Sequence, residues 1–165
     1  MTHVRYIDKT REYYLGQGYT KPYEWAHHDD VPFAALNKPL AECTVALVST
    51  SDIAVDSDDD EGLDTGHQPL VGNVYSFPSD TPLDRLFSRQ EHYDKYATTL
   101  DDTNSYFPIS RLHELVDRGR LGSVAARSHG VYTAYSHRKT SEVDAPEVLR
   151  RCRQDGVDVA ILTPV

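Results

Sequence analysis

The stretch from Ser88 to Pro108 holds the densest set of chemistry-capable side chains in the sequence: Ser88, His92, Tyr93, Asp94, Asp101, Asp102, Asn104 and Tyr106. A histidine two residues from an aspartate can serve as a general base with an orienting carboxylate, because imidazole titrates near neutral pH. Asp101 and Asn104 can hold a polar substrate; the same residue types also cap helices and close turns. A polar, irregular segment of this length is costly to order, and functional loops are often built this way. No order of nucleophile, base and orienting group is fixed by the spacing. Catalysis and plain turn chemistry therefore both stay open.

Three smaller groups carry further chemistry. Ser49-Thr50-Ser51-Asp52 closes an apolar run, and its hydroxyls can meet a ligand or cap the next element. His27-His28-Asp29-Asp30 offers metal-ligand types, but adjacent side chains in extended backbone point to opposite faces and do not converge on one ion. Cys43 and Cys152 show no C-x-x-C and no zinc spacing, so they read as reduced, partly buried thiols. Arg150, Arg151 and Arg153 could lower the Cys152 pKa, although residues flanking it on a helix point in different directions. A metal-dependent hydrolase would need His92, Asp94 and a third ligand to converge.

The elements that must position these groups can be read from the apolar pattern. Thr44–Val48 is a short, continuous apolar run ended by small polar residues, as a buried parallel strand reads. Residues 72–78 alternate like a strand with one exposed face. Ser79-Asp80-Thr81-Pro82 is a turn, succeeded by a short segment spaced by Leu83, Leu86 and Phe87. Ser110–Arg118 reads as a helix with Ser110 at its N-cap, Glu114 as a capping-box-like acid, and Leu112, Leu115 and Val116 on one face. His129–Tyr135 is a candidate strand. Ala145–Asp155 is a helix with Pro146 in its first turn and Gly156 as its cap, and the chain then reads as a buried parallel strand that delivers Thr163 and Pro164. Helix, cap and strand make half of a βαβ unit. The expected fold is α/β: a Rossmann-like three-layer sandwich with a mostly parallel sheet over residues 41–165. Residues 1–40 form an irregular, aromatic-rich N-terminal segment. A short helix can form over Tyr6–Leu15, and prolines interrupt the segment after it.

The chain has 165 residues and a net charge of −9, with 39% apolar residues, and its mean hydropathy is −0.56. One domain of this size can bury a substantial core. The negative charge argues against nucleic acid and anionic membranes as partners, since both need clustered Lys and Arg. Asp56, Asp58, Asp59, Asp60, Glu61 and Asp64 crowd into one stretch that reads as a solvated loop. No apolar run approaches the ~20 residues of a membrane span, and the N-terminus shows no apolar signal segment. A cytoplasmic location is the default expectation.

A set of segments in a particular order carries a resemblance. These are Asn37-Lys38-Pro39-Leu40 before the Thr44–Thr50 strand; Pro78-Ser79-Asp80-Thr81-Pro82; His92-Tyr93-Asp94; residues 101–112 from Asp101 to Leu112; Gly119-Arg120-Leu121-Gly122; and residues 156–165 from Gly156 to Val165. In this order they are similar to the glycine/sarcosine/betaine/D-proline reductase selenoprotein B family, across nearly the whole chain from about residue 25. The resemblance implies reductive cleavage of a carbon–nitrogen bond in glycine, an N-methylated glycine or proline. A low-pKa selenol or thiol would be the nucleophile, and a pyruvoyl group on a partner subunit would hold the amine. It implies partner reductase subunits and a small amino-acid-like substrate. Asp80, His92, Asp94, Asp101 and Asn104 match recurring family positions, and with Ser49, Thr50 and Thr163 they are the substrate-cleft candidates. The family's selenocysteine or cysteine motif comes directly after the strand ending here at Val165, so neither Cys43 nor Cys152 inherits its role. A selenocysteine codon read as a stop, a fragment, and a relative without the redox residue are the three readings of that end. Each leaves this chain alone without the nucleophile. The alternative function is a non-catalytic module that binds a small metabolite or a protein. An uncovered flank on the last strand would favour homo-oligomerisation.

Overall fold

The computed structural model describes residues 5–32, 34–56, 74–91, 93, 95–132 and 135–164. Most of the acidic stretch, together with His92, Asp94 and Val165, lies outside the described residues. The chain divides into two compact units, Met1–Ala34 and Ala35–Val165.

In the first unit, helix α1 runs Tyr6–Gly16. It is the one regular element expected there, and none of its residues is buried. An aromatic chain comes next. Tyr14 stacks on Tyr23 with ring centroids 5.4 Å apart, and Tyr23 meets Trp25 edge-on at 5.0 Å. Aromatic pairing of this kind adds to simple area burial, and it gives order to a segment rich in proline.

The second unit is built on a mixed, mostly parallel sheet around β1 (Thr44–Ser49). Short strand β2 (Ile53–Val55) is next. After β3 (Val74–Pro78) comes β4 (Leu86–Ser88), which pairs antiparallel with β2 in a separate two-stranded sheet. Helix α2 spans Ile109–Asp117 and precedes β5 (Ser123–Val124) and β6 (Arg127–Val131). A helical run then comprises α3 (His137–Lys139), a π turn (Thr140–Asp144) and α4 (Ala145–Gln154), before β7 (Val159–Thr163).

Val48 pairs with both His129 and Leu162, and Val45 with both Val124 and Val159. β5 and β6 therefore lie along one side of β1 and β7 along the other, all parallel. β3 joins antiparallel to β6. The alternation of β1 assigns its two faces. Val45 and Leu47 enter a core with Tyr75, Phe77, Phe107, Ile109 and Leu112. Ala46 faces Cys152 and Val148 of α4. Helices thus cover opposite faces of the sheet, in three layers.

Several expectations change. β7 is parallel, but it is an edge strand among the described residues: Leu162 is 70% exposed. An apolar run predicts a buried strand only when both neighbours are present, and here one flank of β7 is open. β3 is buried on both faces apart from Pro78, because Tyr75 and Phe77 face one core while Val74 and Ser76 are also covered. Pro108, not Ser110, precedes α2, and the Ser110 hydroxyl donates instead to Asn104 Oδ1 at 2.7 Å. The strand expected at His129–Tyr135 is shifted back to Arg127–Val131. Helix α4 is continued upstream by the π turn and α3. Pro146 accounts for the wide turn: it lacks an N–H, and its ring collides with the carbonyl four residues back in a regular α-helix.

Candidate functional site

The C-terminal ends of β1, β6 and β7 open, against the helical run, into a crevice of about 470 Å³. In α/β sheets this end of parallel strands is the usual place for a ligand. Val48, Val131, Val148, Ala160 and Leu162 are among its lining residues, with Ser49, Thr50 and Thr163 at the strand ends. Two groups with titratable chemistry also line it, Asp144 and Cys152. Both come from the helical run, where Asp144, Val148 and Cys152 recur every four residues and so share one face.

Asp144 is only 2% exposed, and its Oδ1 has no hydrogen-bond partner among the described residues. Burial pushes its carboxyl above the usual range, and the charge of Lys139 pulls it partly back. Cys152 is 6% exposed, and burial, with Asp155 adding to it, raises its thiol pKa. The neighbouring arginines do not activate it. Glu147 holds two of them: Arg150 donates to it at 2.6 and 2.7 Å, and Arg151 at 2.7 Å. These bonds depress the Glu147 carboxyl to about 2.

Beneath α4 a second polar group is fully buried. His129 is 0% exposed, and its Nδ1 lies 2.9 Å from the Ser76 hydroxyl. Arg151 Nη1 donates to the same hydroxyl at 2.7 Å. His129 Nε2 sits 3.8 Å from Asp155 Oδ2. A bare nitrogen facing a carboxylate is repulsive, so this geometry favours the Nε2–H tautomer, with Ser76 donating into Nδ1. Asp155 in turn accepts two bonds from Arg127, at 2.8 and 3.1 Å. Burial lowers the His129 pKa to about 4 despite the pull of Asp155, and Arg127 and Arg151 add to the lowering. This histidine is a neutral, structural member of the network.

The sequence-derived candidates fall into two groups in space. Ser49, Thr50 and Thr163 meet at the strand ends: Thr50 N–H donates to the Thr163 carbonyl at 3.3 Å, the Ser49 hydroxyl donates to the same carbonyl at 3.2 Å, and the Thr163 hydroxyl donates to the Val48 carbonyl at 3.3 Å. Ser49 also pairs with Ser51 at 2.7 Å. The others lie elsewhere. Asp80 is exposed in the turn after β3, and Asp101 is exposed in the loop ahead of the 3₁₀ turn Thr103–Ser105. Asn104 braces the entry to α2: its N–H is held by Asp102 Oδ1 at 3.0 Å and its side-chain carbonyl by Ser110. Neither Asp80, Asp101 nor Asn104 lines the crevice. Among the described residues no three His, Cys, Asp or Glu side chains converge as a metal cluster. No helix among them is long and apolar enough to cross a membrane.

Asp144 was not among the sequence-derived candidates. Its signal is an acid on the apolar four-residue stripe of the helix, one turn before Val148. That signal disappears when the helix is started at Ala145.

No protein-family model and no solved structure matches the chain. Among curated proteins it is 27% identical, over 132 residues, to a protein named D-proline reductase subunit gamma from Acetoanaerobium sticklandii. The matched region is 78% of this chain and 51% of that protein, so the chain spans about half the length of the relative it matches. At that level of similarity the chain is a distant relative of a reductase subunit.

Proposed function

We infer that this chain is a component of a multi-subunit amino-acid reductase and that it offers the strand-end crevice to a small amino-acid-like substrate such as D-proline. The observation that carries this reading is the similarity to D-proline reductase subunit gamma over 78% of the chain. The position of the crevice at the ends of three parallel strands is consistent with it, as is a three-layer arrangement of Rossmann-like type. The reaction would be reductive C–N cleavage, with glycine and its N-methylated forms as the neighbouring substrate class, in a cytoplasmic complex.

Such a reaction needs a nucleophilic thiolate or selenolate. Cys43 and Cys152 do not fit that role, since both are buried and burial raises the Cys152 pKa. The nucleophile is therefore proposed to lie outside the residues of this sequence, and the carbonyl group that would hold the amine on a partner subunit. The buried thiols also favour a second reading, in which this chain is a non-catalytic binding module.

The test is to isolate the complex through this chain and supply a dithiol and D-proline. Opening the ring of a secondary amine at C–N releases a primary amine, which a fluorogenic amine reagent detects. Primary amine formed at the expense of dithiol supports the reductase reading. D-proline bound without turnover favours the binding module, and neither binding nor turnover with D-proline, glycine, sarcosine or betaine overturns both.

A further inference from the structure

The two outer strands of the sheet are finished differently. β3, at one edge, is buried except at Pro78. β7, at the opposite edge, has no strand on its outer flank among the described residues. Ala160, Ile161 and Leu162 are all exposed, Ile161 at 37% and Leu162 at 70%. The strand Val159-Ala160-Ile161-Leu162-Thr163 holds no charge and no proline, the usual devices that keep an edge from pairing. The Asp158 N–H points inward and donates to the Thr44 carbonyl at 2.9 Å. By alternation, the N–H groups of Val159 and Ile161 point to the open flank.

This edge is complementary to itself. Two copies of β7 laid antiparallel about Ile161 set Ile161 against Ile161, Val159 against Thr163, and Ala160 against Leu162. Ile161 then falls in a hydrogen-bonded pair, as its outward N–H requires, and the closely spaced pair joins a small side chain to a large one. Helix α4 turns straight into β7, with the Val157 N–H on the Cys152 carbonyl at 3.0 Å, so helix and strand run in opposite directions. The same two-fold axis therefore sets two α4 helices antiparallel. Glu142 and Glu147 lie in the π turn and first turn of α4, and Arg153 lies in its last turn. Acid on one copy thus faces base on the other, and the two helix dipoles oppose.

We propose that β7 is the interface of a homodimer, in which a second copy of this chain pairs antiparallel along Val159–Thr163 and the two sheets become one. The pairing uses the edge and its helix alone, so it stands apart from the reductase reading.

Sedimentation equilibrium of the full chain at tens of micromolar is expected to give twice the 18.6 kDa of one copy. In the wild type the Ile161 amide should exchange with solvent faster on dilution. Leu162→Lys, at an exposed position, should weaken dimerisation at least tenfold and leave the far-UV circular dichroism unchanged. Ala160→Leu sets two large side chains in the closely spaced pair and should weaken the dimer as much. Adding Leu162→Ala restores a small side chain opposite the large one and should recover it. A monomeric wild type would leave the edge to a different polypeptide and overturn the proposal. So would an Ile161 amide indifferent to dilution, a dimer that survives Leu162→Lys, or a double variant no tighter than Ala160→Leu.

Discussion

Tyr75 and Gly130 face one another across the antiparallel pair of β3 and β6, and the Tyr75 ring occupies the space that any side chain at position 130 would need. Tyr75 is 6% exposed and belongs to the core that also contains Phe77 and Phe107. An aromatic ring laid over a cross-strand glycine supplies packing that the glycine lacks. The ring cannot swing away without opening that core. Gly130→Ala should therefore cost about 2–3 kcal/mol, in the range of core overpacking, as measured by chemical denaturation. Adding Tyr75→Leu should recover part of that loss, giving a favourable coupling in the double-mutant cycle. Additive losses would show that the two positions are not in conflict.

Acid sensitivity should trace to His129. Its folded pKa is about 4 against an ordinary 6.5, so the unfolded chain binds the proton more readily. The stability that depends on the neutral ring is fully present above pH 6.5. It is lost progressively as the pH falls toward 4, by up to about 3 kcal/mol. His129→Gln cannot take up that proton. The stability gap between wild type and variant should therefore narrow as Tm is followed from pH 7 to pH 4. A gap that stays constant over that range would assign the acid sensitivity to other groups.

The Ser76 hydroxyl joins the imidazole of His129 to the guanidinium of Arg151. Replacing it by Ala leaves the buried His129 Nδ1 without its donor and removes one of the bonds of the partly buried Arg151, at about 1–3 kcal/mol. Because one of the two bonds runs to His129, Ser76→Ala combined with His129→Gln should cost less than the sum of the single changes. Full additivity would mean that the hydroxyl serves Arg151 alone.

Both thiols should be slow. Cys43 is 0% exposed and Cys152 is 6% exposed, with a pKa raised by burial. At pH 7.5 the native chain should show no fast-reacting thiol toward an aromatic disulfide reagent, and two on denaturation. A rapid native equivalent would make Cys152 a candidate nucleophile again.

The parallel architecture was legible where a segment stated its own environment. Thr44–Val48 reads as a core strand because both its faces are apolar, and the Pro146–Gly156 frame marks a helix that ends before a parallel strand. The short strands β2, β4 and β5 were not legible: two or three residues carry no periodicity, and they are held by pairing partners far along the chain. Ser49, Thr50 and Thr163 could each be placed at a strand end from sequence, but their meeting across the β1–β7 pair could not. Asp144 was hidden because its meaning depends on a helix that continues through a proline. The buried pairing of Ser76 with His129 joins residues 53 positions apart, which no local pattern records. Exposure of the last strand depends on what lies beside it, and a residue pattern cannot express that.

The first strand of the sheet pairs with the last over five consecutive positions, from Val45–Val159 to Ser49–Thr163. The Thr44 N–H is also held by Asp158, 114 residues away. Contacts so distant in sequence slow folding, because the intervening loop must be closed before they contribute. A ribosome making this chain would release the hydrophobic β1 long before β7 exists to flank it. Until then β1 can lean only on β5 and β6, and one of its sides stays open. The nascent chain should thus depend on chaperone protection between the emergence of β1 and that of β7, and the protease resistance of β1 should rise only once residues 159–163 are made.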